Sequence, residues 1–340
     1  MGKVITENFY YEVISKFHKQ KALVVGDLMV DKYVIGEVRR ISPEAPVQIV
    51  NVIGEEQYPG GAGNVVRNLI TLEAKVDVMS VIGFDDPGEW LTRKFGEFGV
   101  DTSMLFIDKL RPTTLKERIM VNHQQILRID REERIPISWT HENAMKALIH
   151  EKIESYDVIF ISDYDKGMLT EHLVQTVVAV ARAAGKKPVI VDPKGIEWMK
   201  YCYSSVISPN EDELAAMYRV IFRTEMVGEK RIDQIGHYIL EMLKLKAILI
   251  TKGEKGMVLF EKDGPESKIL KHVIHTRAKD VFDVTGAGDT ALSVFGLSIA
   301  VGADYFSAAH LANIAAGIVV SKVGTSAVRR EEMMDAIQKS

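Results

Sequence analysis

Short apolar runs alternate with longer amphipathic segments along most of the chain. The runs are rich in Val, Ile and Leu, which is typical of strands buried on both faces of a parallel sheet. They are residues 22–25, 75–81, 158–161, 188–191, 205–207 and 247–250. Intervening stretches such as residues 170–184 and 232–245 carry apolar residues at three- and four-residue spacing, so we interpret them as helices. The alternation predicts an α/β fold with a doubly wound, mostly parallel sheet and helices on both faces.

Two stretches interrupt this alternation, residues 33–53 and 104–130. Both are rich in β-branched residues, proline and charge, and neither has a helical period. We interpret them as short antiparallel strands that project from the main sheet and form a small lid. The opening segment, residues 7–18, presents Phe9 and Phe17 on one helical face, so we expect it to pack on the body of the protein.

Composition narrows the class of protein. The 340 residues are 46% hydrophobic and carry a formal net charge of −4, which disfavours both disorder and non-specific nucleic-acid binding. The single cysteine, Cys202, excludes a disulfide framework and a thiolate-rich zinc site. The longest uncharged runs, 290–303 and 305–321, are shorter than the ~20 residues that span a bilayer. We therefore expect a cytoplasmic protein with no nucleic-acid or membrane partner.

The most informative segment is Asp283-Val-Thr-Gly-Ala-Gly-Asp289, which directly precedes an apolar helical pattern. Gly286 and Gly288 allow the backbone to approach a ligand closely. Consecutive N–H groups at a helix N-terminus bind anions. Asp289 at that point suits a general base that takes a proton from a hydroxyl attacking a phosphate. The alternative is an acidic helix cap after a glycine turn.

A second glycine cluster, residues 59–64, precedes the helical pattern of residues 65–72. Asp31 lies shortly after the first predicted strand, and Asn64 ends the glycine cluster. If the two meet at the carboxyl ends of the strands, where open α/β sheets bind ligands, a carboxylate and an amide would suit a polyhydroxylated ligand such as a sugar. The alternatives are a tight strand-to-helix turn and a pair of solvated loops.

Two common nucleotide motifs are missing from the sequence. It has no GxxxxGK[ST] segment and no GxGxxG turn after the first predicted strand. Their absence argues against a P-loop nucleotide site and disfavours a dehydrogenase.

Four motifs, in order, resemble those of the ribokinase-like (PfkB) carbohydrate kinases. They are PGGAGN (59–64), PNEDE (209–213), TKGEKG (251–256) and DVTGAGD (283–289). The resemblance covers nearly the whole chain and implies a ribokinase-like fold in which residues 1–340 form one kinase domain with a lid.

Further segments narrow the resemblance to the D-glycero-β-D-manno-heptose-7-phosphate kinases, the kinase half of the ADP-heptose pathway. They are residues 26–50, the phrase NHQQILRID (122–130), ISDYDKG (161–167), VDPKG (191–195) and residues 312–326. In bifunctional members a nucleotidyltransferase domain follows the kinase. Because the sequence stops at Ser340, we expect the single-function kinase here.

The resemblance implies a role for each matching position. Asp289 would be the base, and the amides of Gly286, Ala287 and Gly288 would form the anion hole. Glu213 would place Mg²⁺ through water. The residues implied to bind ATP are Asn210, Glu213, Thr251, Gly253, Gly256 and Asn313. Those implied to bind the sugar hydroxyls are Asp31, Gly60, Gly61 and Asn64. Asp283 and Thr285 would bind a monovalent cation such as K⁺.

A sugar phosphate also needs cations that the net charge does not supply. We favour Arg118, Lys166 and Lys194, since Lys166 and Lys194 follow strands at the ligand end of the sheet. The segment ISDYDKG adds Asp163 to the implied substrate residues. Further candidates by location are Arg39, Arg40 and Lys116. Asp165 departs from the small residue expected there and adds negative charge beside this clamp.

The resulting hypothesis is an ATP-dependent kinase that phosphorylates the anomeric 1-hydroxyl of D-glycero-D-manno-heptose 7-phosphate. A kinase for another sugar or sugar phosphate stays open, as does a non-catalytic sugar-binding or regulatory protein on the same fold. Lids of this family commonly dimerise, so the resemblance also implies a homodimer.

Overall fold

The computed structural model describes residues 7–122, 124–226, 228–263, 268–276, 284–322 and 326–338. Within these residues the helices are α1 Glu7–Ser15, α2 Ala62–Thr71, α3 Asp86–Glu97, α4 Trp139–Lys152, α5 Glu171–Ala183, α6 Glu211–Phe222, α7 Glu229–Met242, α8 Ala287–Ala300, α9 Tyr305–Val320 and α10 Arg330–Gln338. The strands are β1 Lys21–Gly26, β2 Leu28–Ile41, β3 Gln48–Gly61, β4 Lys75–Gly83, β5 Leu105–Asp108, β6 Thr114–Val121, β7 Gln124–Arg131, β8 Val158–Ser162, β9 Val189–Asp192, β10 Val206–Ile207, β11 Ala247–Thr251, β12 Met257–Asp263 and β13 Lys268–Ile274.

Nine of the described strands form the main sheet, in the order β13-β12-β11-β10-β9-β8-β1-β4-β5. The pairs from β11 to β5 are parallel, and β12 is antiparallel to both of its neighbours, β11 and β13. The six predicted strands are all present, so the prediction of a mostly parallel sheet is confirmed. The hairpin β12–β13 and β5 extend this sheet beyond the predicted strands.

Two hydrophobic cores cover the opposite faces of this sheet. Because side chains alternate along a strand, Ala22 and Val24 of β1 belong to one core, whereas Leu23 and Val25 belong to the other. The first core contains buried side chains of α1, α2, α3, α8, α9 and α10, and the second contains those of α4 to α7. The sheet is therefore doubly wound, as predicted.

The lid is a separate four-stranded sheet in the order β3-β2-β6-β7. Its strands reach further toward the body than the predicted lid, because β2 begins at Leu28 and β3 ends at Gly61. Two details of the prediction were wrong. Residues 105–108 pair with β4 as an edge strand of the main sheet. In addition, β6 runs parallel to β2, and only the outer pairs of the lid are antiparallel.

The opening segment packs on the body, as expected. The α-helix ends at Ser15, and Phe17–Lys19 form a 3₁₀ turn. Val13 and Phe17 are buried in the first core, and Phe9 packs against it. Among the described residues, no helix combines the length and apolar character needed to cross a membrane.

Candidate active site

The order in which strands are added to the sheet reverses at β1. This reversal creates a crevice at the carboxyl end of β1. From β1 the chain builds β4 and β5 on one side and then returns to place β8 on the other. Ligands of open α/β sheets bind at such a switch point. Asp27, directly after β1, accepts backbone N–H bonds from Tyr164, Lys166 and Met168 at 2.9, 3.3 and 3.3 Å. The Asp27 carboxylate therefore holds the backbone of the loop that follows β8.

Asp289 lies in the first turn of α8 and faces this crevice, with only 8% of its surface exposed. Asn64 donates to its Oδ2 at 2.7 Å, and the Tyr164 hydroxyl donates to its Oδ1 at 3.3 Å. Burial raises the pKa of Asp289 to about 6, with a further contribution from Asp31, against the two hydrogen bonds, which lower it. A carboxylate held in this way can accept a proton near neutral pH.

Side-chain bonds join α2 to the first turn of α8. Thr290 donates to Asn68 Oδ1 at 2.8 Å, and the Asn68 amide donates to the Asn64 carbonyl at 2.9 Å. Gly286 has a φ of 80°, and a Cβ there would lie 2.7 Å from Asn64 Nδ2. Only glycine fits this position without strain. The junction therefore holds Asn64 against Asp289.

The three residues predicted for the anion hole lie at the start of α8 and border a cavity of about 820 Å³. The Ala287 N–H also donates to the carbonyl of Val284 at 3.3 Å. The other predicted residues on the cavity wall are Asp163, Lys194, Asn210, Glu213, Thr251, Gly253, Gly256 and Asn313. The structure thus brings the predicted nucleotide residues and Asp289 to one cavity.

The lid brings Asp31 toward this region. Arg118 Nη1 lies 2.5 Å from Asp31 Oδ1. A Cβ at Gly60 would overlap the Asp31 carboxylate, and one at Gly61, whose φ is 56°, would lie 2.6 Å from the Asp27 carbonyl. The two glycines therefore allow the lid strands and the start of α2 to approach each other closely. Arg118, predicted as a phosphate ligand, is paired with a predicted sugar ligand.

Glu213 has a structural role in addition to the predicted one. Asn210 and Glu213 form a capping box at the start of α6, with bonds of 2.8 and 3.0 Å. The second Glu213 carboxylate oxygen lies 2.6 Å from Lys194 Nζ. Lys194 therefore borders the cavity paired with Glu213, and its role as a ligand of the sugar phosphate stays a prediction.

Asp192, at the end of β9, is a member of the site that the sequence analysis missed. Burial, followed by the charges of Asp289 and Glu213, raises its pKa well above the usual range, and Lys194 opposes the shift. A divalent cation would relieve this accumulation of carboxylates. Within the described parts of the chain, no group of three or more acidic, His or Cys residues could hold a metal.

Several other predicted residues have local partners. Asp163 accepts from the Tyr201 hydroxyl at 2.6 Å and lies 2.5 Å from Lys200 Nζ. These contacts anchor the loop after β8. Although Asp163 borders the cavity, its carboxylate is therefore bonded to protein groups. Asn313 donates to the His275 carbonyl at 2.8 Å. Thr285 lies in the exposed turn before α8, and Asp283 lies outside the described residues.

Tyr164 and Asp27 are further residues that the sequence analysis did not assign. Both follow strands that flank the switch point, β8 and β1. Their position in the sequence was therefore a usable signal, as it was for Asp31. Their partners, however, are distant in sequence, and the contact of Tyr164 with Asp289 could not be derived from spacing.

Solved structures of other proteins show the same fold. Ribokinase of Arabidopsis thaliana, solved with ribose and ATP, has a TM-score of 0.70 at 20% identity, covering 94% of this chain and 99% of that one. Phosphofructokinase-2 of Escherichia coli, solved in complex with potassium, has a TM-score of 0.73 at 16% identity, covering 94 and 98%. At these identities the likeness establishes a ribokinase-like α/β fold.

The sequence itself matches the pfkB family carbohydrate kinases over residues 19–332, and the chain belongs to this family. Two curated relatives are both named bifunctional protein HldE. The protein from Geobacter metallireducens is 45% identical over 318 residues, and that from Syntrophotalea carbinolica is 42% identical over 337. These alignments cover 93 and 99% of this chain, but only 62 and 66% of the relatives' own length.

Proposed function

We propose that the protein transfers the γ-phosphoryl group of ATP to the anomeric 1-hydroxyl of D-glycero-D-manno-heptose 7-phosphate. The products are the 1,7-bisphosphate, a step toward ADP-heptose, and ADP. The observation that carries the proposal is Asp289, a buried carboxylate with a pKa of about 6. It lies at the start of α8 between Asn64 on the sugar side and the cavity on the nucleotide side.

In the proposed reaction the sugar hydroxyl gives its proton to Asp289 while its oxygen bonds to the γ-phosphorus. The bond from that phosphorus to the β,γ-bridging oxygen breaks, and ADP leaves. Asn64 and Tyr164 orient the carboxylate. The amides of Gly286, Ala287 and Gly288, strengthened by the helix dipole, stabilise the charge on the transferring group.

Membership in a kinase family implies ATP and a divalent metal, and we propose Mg²⁺ as that metal. When bound, it would offset the charge of the ATP phosphates, held through water by Glu213 and Asp192. A monovalent cation at Asp283 and Thr285 stays a prediction. An ATP-dependent reaction of this kind belongs in the cytoplasm.

The choice of heptose 7-phosphate rests on the sequence. Segments such as residues 26–50 and 122–130 resemble the heptose phosphate kinases. The bifunctional relatives align over 93 and 99% of this chain, at 45 and 42% identity. A coupled ADP-release assay over a panel of sugars and sugar phosphates tests this choice. We expect preferred turnover of heptose 7-phosphate, whereas turnover of none would favour a sugar-binding protein.

Asp289→Asn tests the mechanism. The amide keeps the shape of the side chain but cannot take the proton, so we expect kcat to fall by roughly 10²–10⁴. ATP binding, measured by calorimetry, should be retained. Near-normal turnover by this variant would contradict the assignment of the base.

We also propose that a second copy of the chain binds through the lid. Large apolar side chains are exposed on its strands, among them Val52, Ile53 and Leu127 at 55, 64 and 54%. Several exposed apolar side chains on one small sheet are typical of an interface. Sedimentation velocity should show a dimer that Leu127→Lys dissociates. The matched control is Val220→Lys on α6, where Val220 is 51% exposed. A monomeric wild-type protein would contradict the proposal.

A further inference from the structure

A cluster of opposite charges lies where the lid meets the body, and we call it the bridging cluster: Lys116, Glu132 and Lys166. A single carboxylate oxygen, Glu132 Oε2, lies 3.1 Å from Lys116 Nζ and 2.8 Å from Lys166 Nζ. Lys116 belongs to β6 of the lid, and Lys166 belongs to the loop after β8. Asp130 of the lid also pairs with Lys116, at 3.2 Å.

Both lysines have neighbours in the active site. Lys116 is in register with Asp31 on the adjacent parallel strand, so the two side chains share one face of the lid. Lys166 follows Tyr164, the donor to Asp289, by two residues, and Asp27 holds the backbone N–H of both. The bridging cluster therefore borders the space between the lid and Asp289, on the sugar side.

The cluster is largely withdrawn from water. The side chains of Lys116, Glu132 and Lys166 are 17, 22 and 10% exposed. Although burial acts in the opposite direction, hydrogen bonds from Lys166 and Lys116 hold the pKa of Glu132 below its usual range. Two partly desolvated ammonium groups thus share one carboxylate oxygen. A phosphate, with three oxygens and up to two negative charges, offers each ammonium its own acceptor.

We propose that Lys116 and Lys166 bind the distal phosphate of the sugar, and that Glu132 occupies this anion position until the sugar phosphate displaces it. This inference rests on the proposed function and deepens it. In this inference the phosphate ligands are Lys116 and Lys166. Lys194 and Arg118 are excluded from that role, because Lys194 is paired with Glu213 and Arg118 with Asp31. A sugar that lacks the phosphate leaves Glu132 in place, so the same carboxylate discriminates against it.

Steady-state kinetics would compare heptose 7-phosphate with the same heptose lacking the phosphate. Lys116→Met and Lys166→Met should each lower kcat/KM for the sugar phosphate about 10- to 100-fold, as expected for the loss of a charge-assisted hydrogen bond. They should leave kcat/KM for the unphosphorylated heptose and KM for ATP unchanged. Glu132→Gln should lower KM for the sugar phosphate, because it removes the competing negative charge.

The matched control is Lys32→Met. Lys32 is also bridged by carboxylates, at 3.0 Å from Glu55 and 3.2 Å from Glu117, but it lies on the opposite face of β2 from Asp31. This variant should keep the wild-type preference for the phosphorylated sugar. Lys116→Arg retains the charge and should restore most of the activity lost in Lys116→Met. This result would indicate that the loss comes from the missing charge rather than from a general folding defect.

Two results would overturn the inference alone. They are equal losses for the phosphorylated and unphosphorylated heptose, and no loss in either lysine variant, while the wild-type enzyme still phosphorylates heptose 7-phosphate. If the wild-type enzyme phosphorylates neither sugar, the proposed function fails and the inference falls with it.

Discussion

The burial of Asp289 determines the pH at which it can accept a proton. Its pKa of about 6 is raised mainly by burial, and the titratable groups that face it are Tyr164, Asp31 and Asp192. As the proposed base, Asp289 must be ionised to act, so kcat/KM should be constant above pH 7 and fall about tenfold per unit well below pH 6. A pH–rate profile measures this acid limb, and a limb centred near pH 4 would contradict the assigned environment.

Tyr164→Phe should move the acid limb to higher pH. The hydroxyl bond to Asp289 lowers the carboxylate pKa, and its loss should raise that pKa by roughly 0.5 to 1 unit. Tyr201→Phe is the matched control, since this buried tyrosine donates to Asp163 instead. Equal shifts in the two variants would indicate a general change in the protein rather than a direct effect on the base.

At the scale of single residues, contiguous motifs were predictable and partnerships were not. Asp289 and its glycines occupy one short segment, and their chemistry follows from residue type and the start of a helix. The bond from Asn64 to Asp289 joins residues 225 positions apart. Glu132 had no recognisable motif, because its position depends on how the lid returns to the body.

At the scale of elements, the packing of α8 on β8 positions the first turn that carries Asp289. Gly296 lies against Phe160 of β8, and a Cβ there would overlap the ring. Gly296→Ala should therefore lower the free energy of unfolding by about 1–3 kcal/mol, the typical cost of overpacking. Urea denaturation with an unchanged m-value measures it.

Gly96→Ala provides the comparison for this prediction. Gly96 is exposed in α3, and a Cβ there would meet nothing within 4 Å. The helix propensity of alanine should then raise stability by up to about 1 kcal/mol. Similar effects at both positions would show that the contact with Phe160 is not tight.

The elements of the main sheet were more predictable than those of the lid. Continuous Val, Ile and Leu runs identify strands such as β8, in which every residue is buried. In β7 every residue is exposed, so no buried face indicates its partner. The edge strand β5 is short and only half-buried, so its pairing with β4 also depends on the tertiary structure.

At the scale of the whole molecule, the lid is joined to the body by the buried side chains of Leu28, Val30 and Leu115 and by polar contacts. The Asp85 carboxylate accepts from Gly88, at the start of α3, and from Thr113, at the entry to β6. The Thr113 hydroxyl accepts from the N–H of Gly83 at the end of β4. The bridging cluster joins the lid to the body on the other side, and we expect the lid to move as a unit about these contacts.

Hydrogen exchange should therefore separate the lid from the main sheet. Amides of β7 should exchange at least about 100-fold faster than those of β8, since an exposed edge opens without unfolding the core. Addition of sugar phosphate and an ATP analogue should slow exchange in the lid and change β8 little. Equal protection of the two strands in the free protein would contradict an independently moving lid.

The division into two sheets has an evolutionary consequence. Asp31, Lys116 and Glu132, on the proposed acceptor side, belong to the lid or its exit, and Lys166 belongs to a loop of the body. Asp289, Asn64 and the amides proposed for the anion hole lie on, or at the start of, two helices of the body that are bonded to each other. Mutations that retune acceptor choice can accumulate on the lid while the groups that move the phosphoryl group keep their geometry. One body with the proposed catalytic groups could thus serve several acceptors, with most of the change made in the appended sheet and the rest in the loop that carries Lys166.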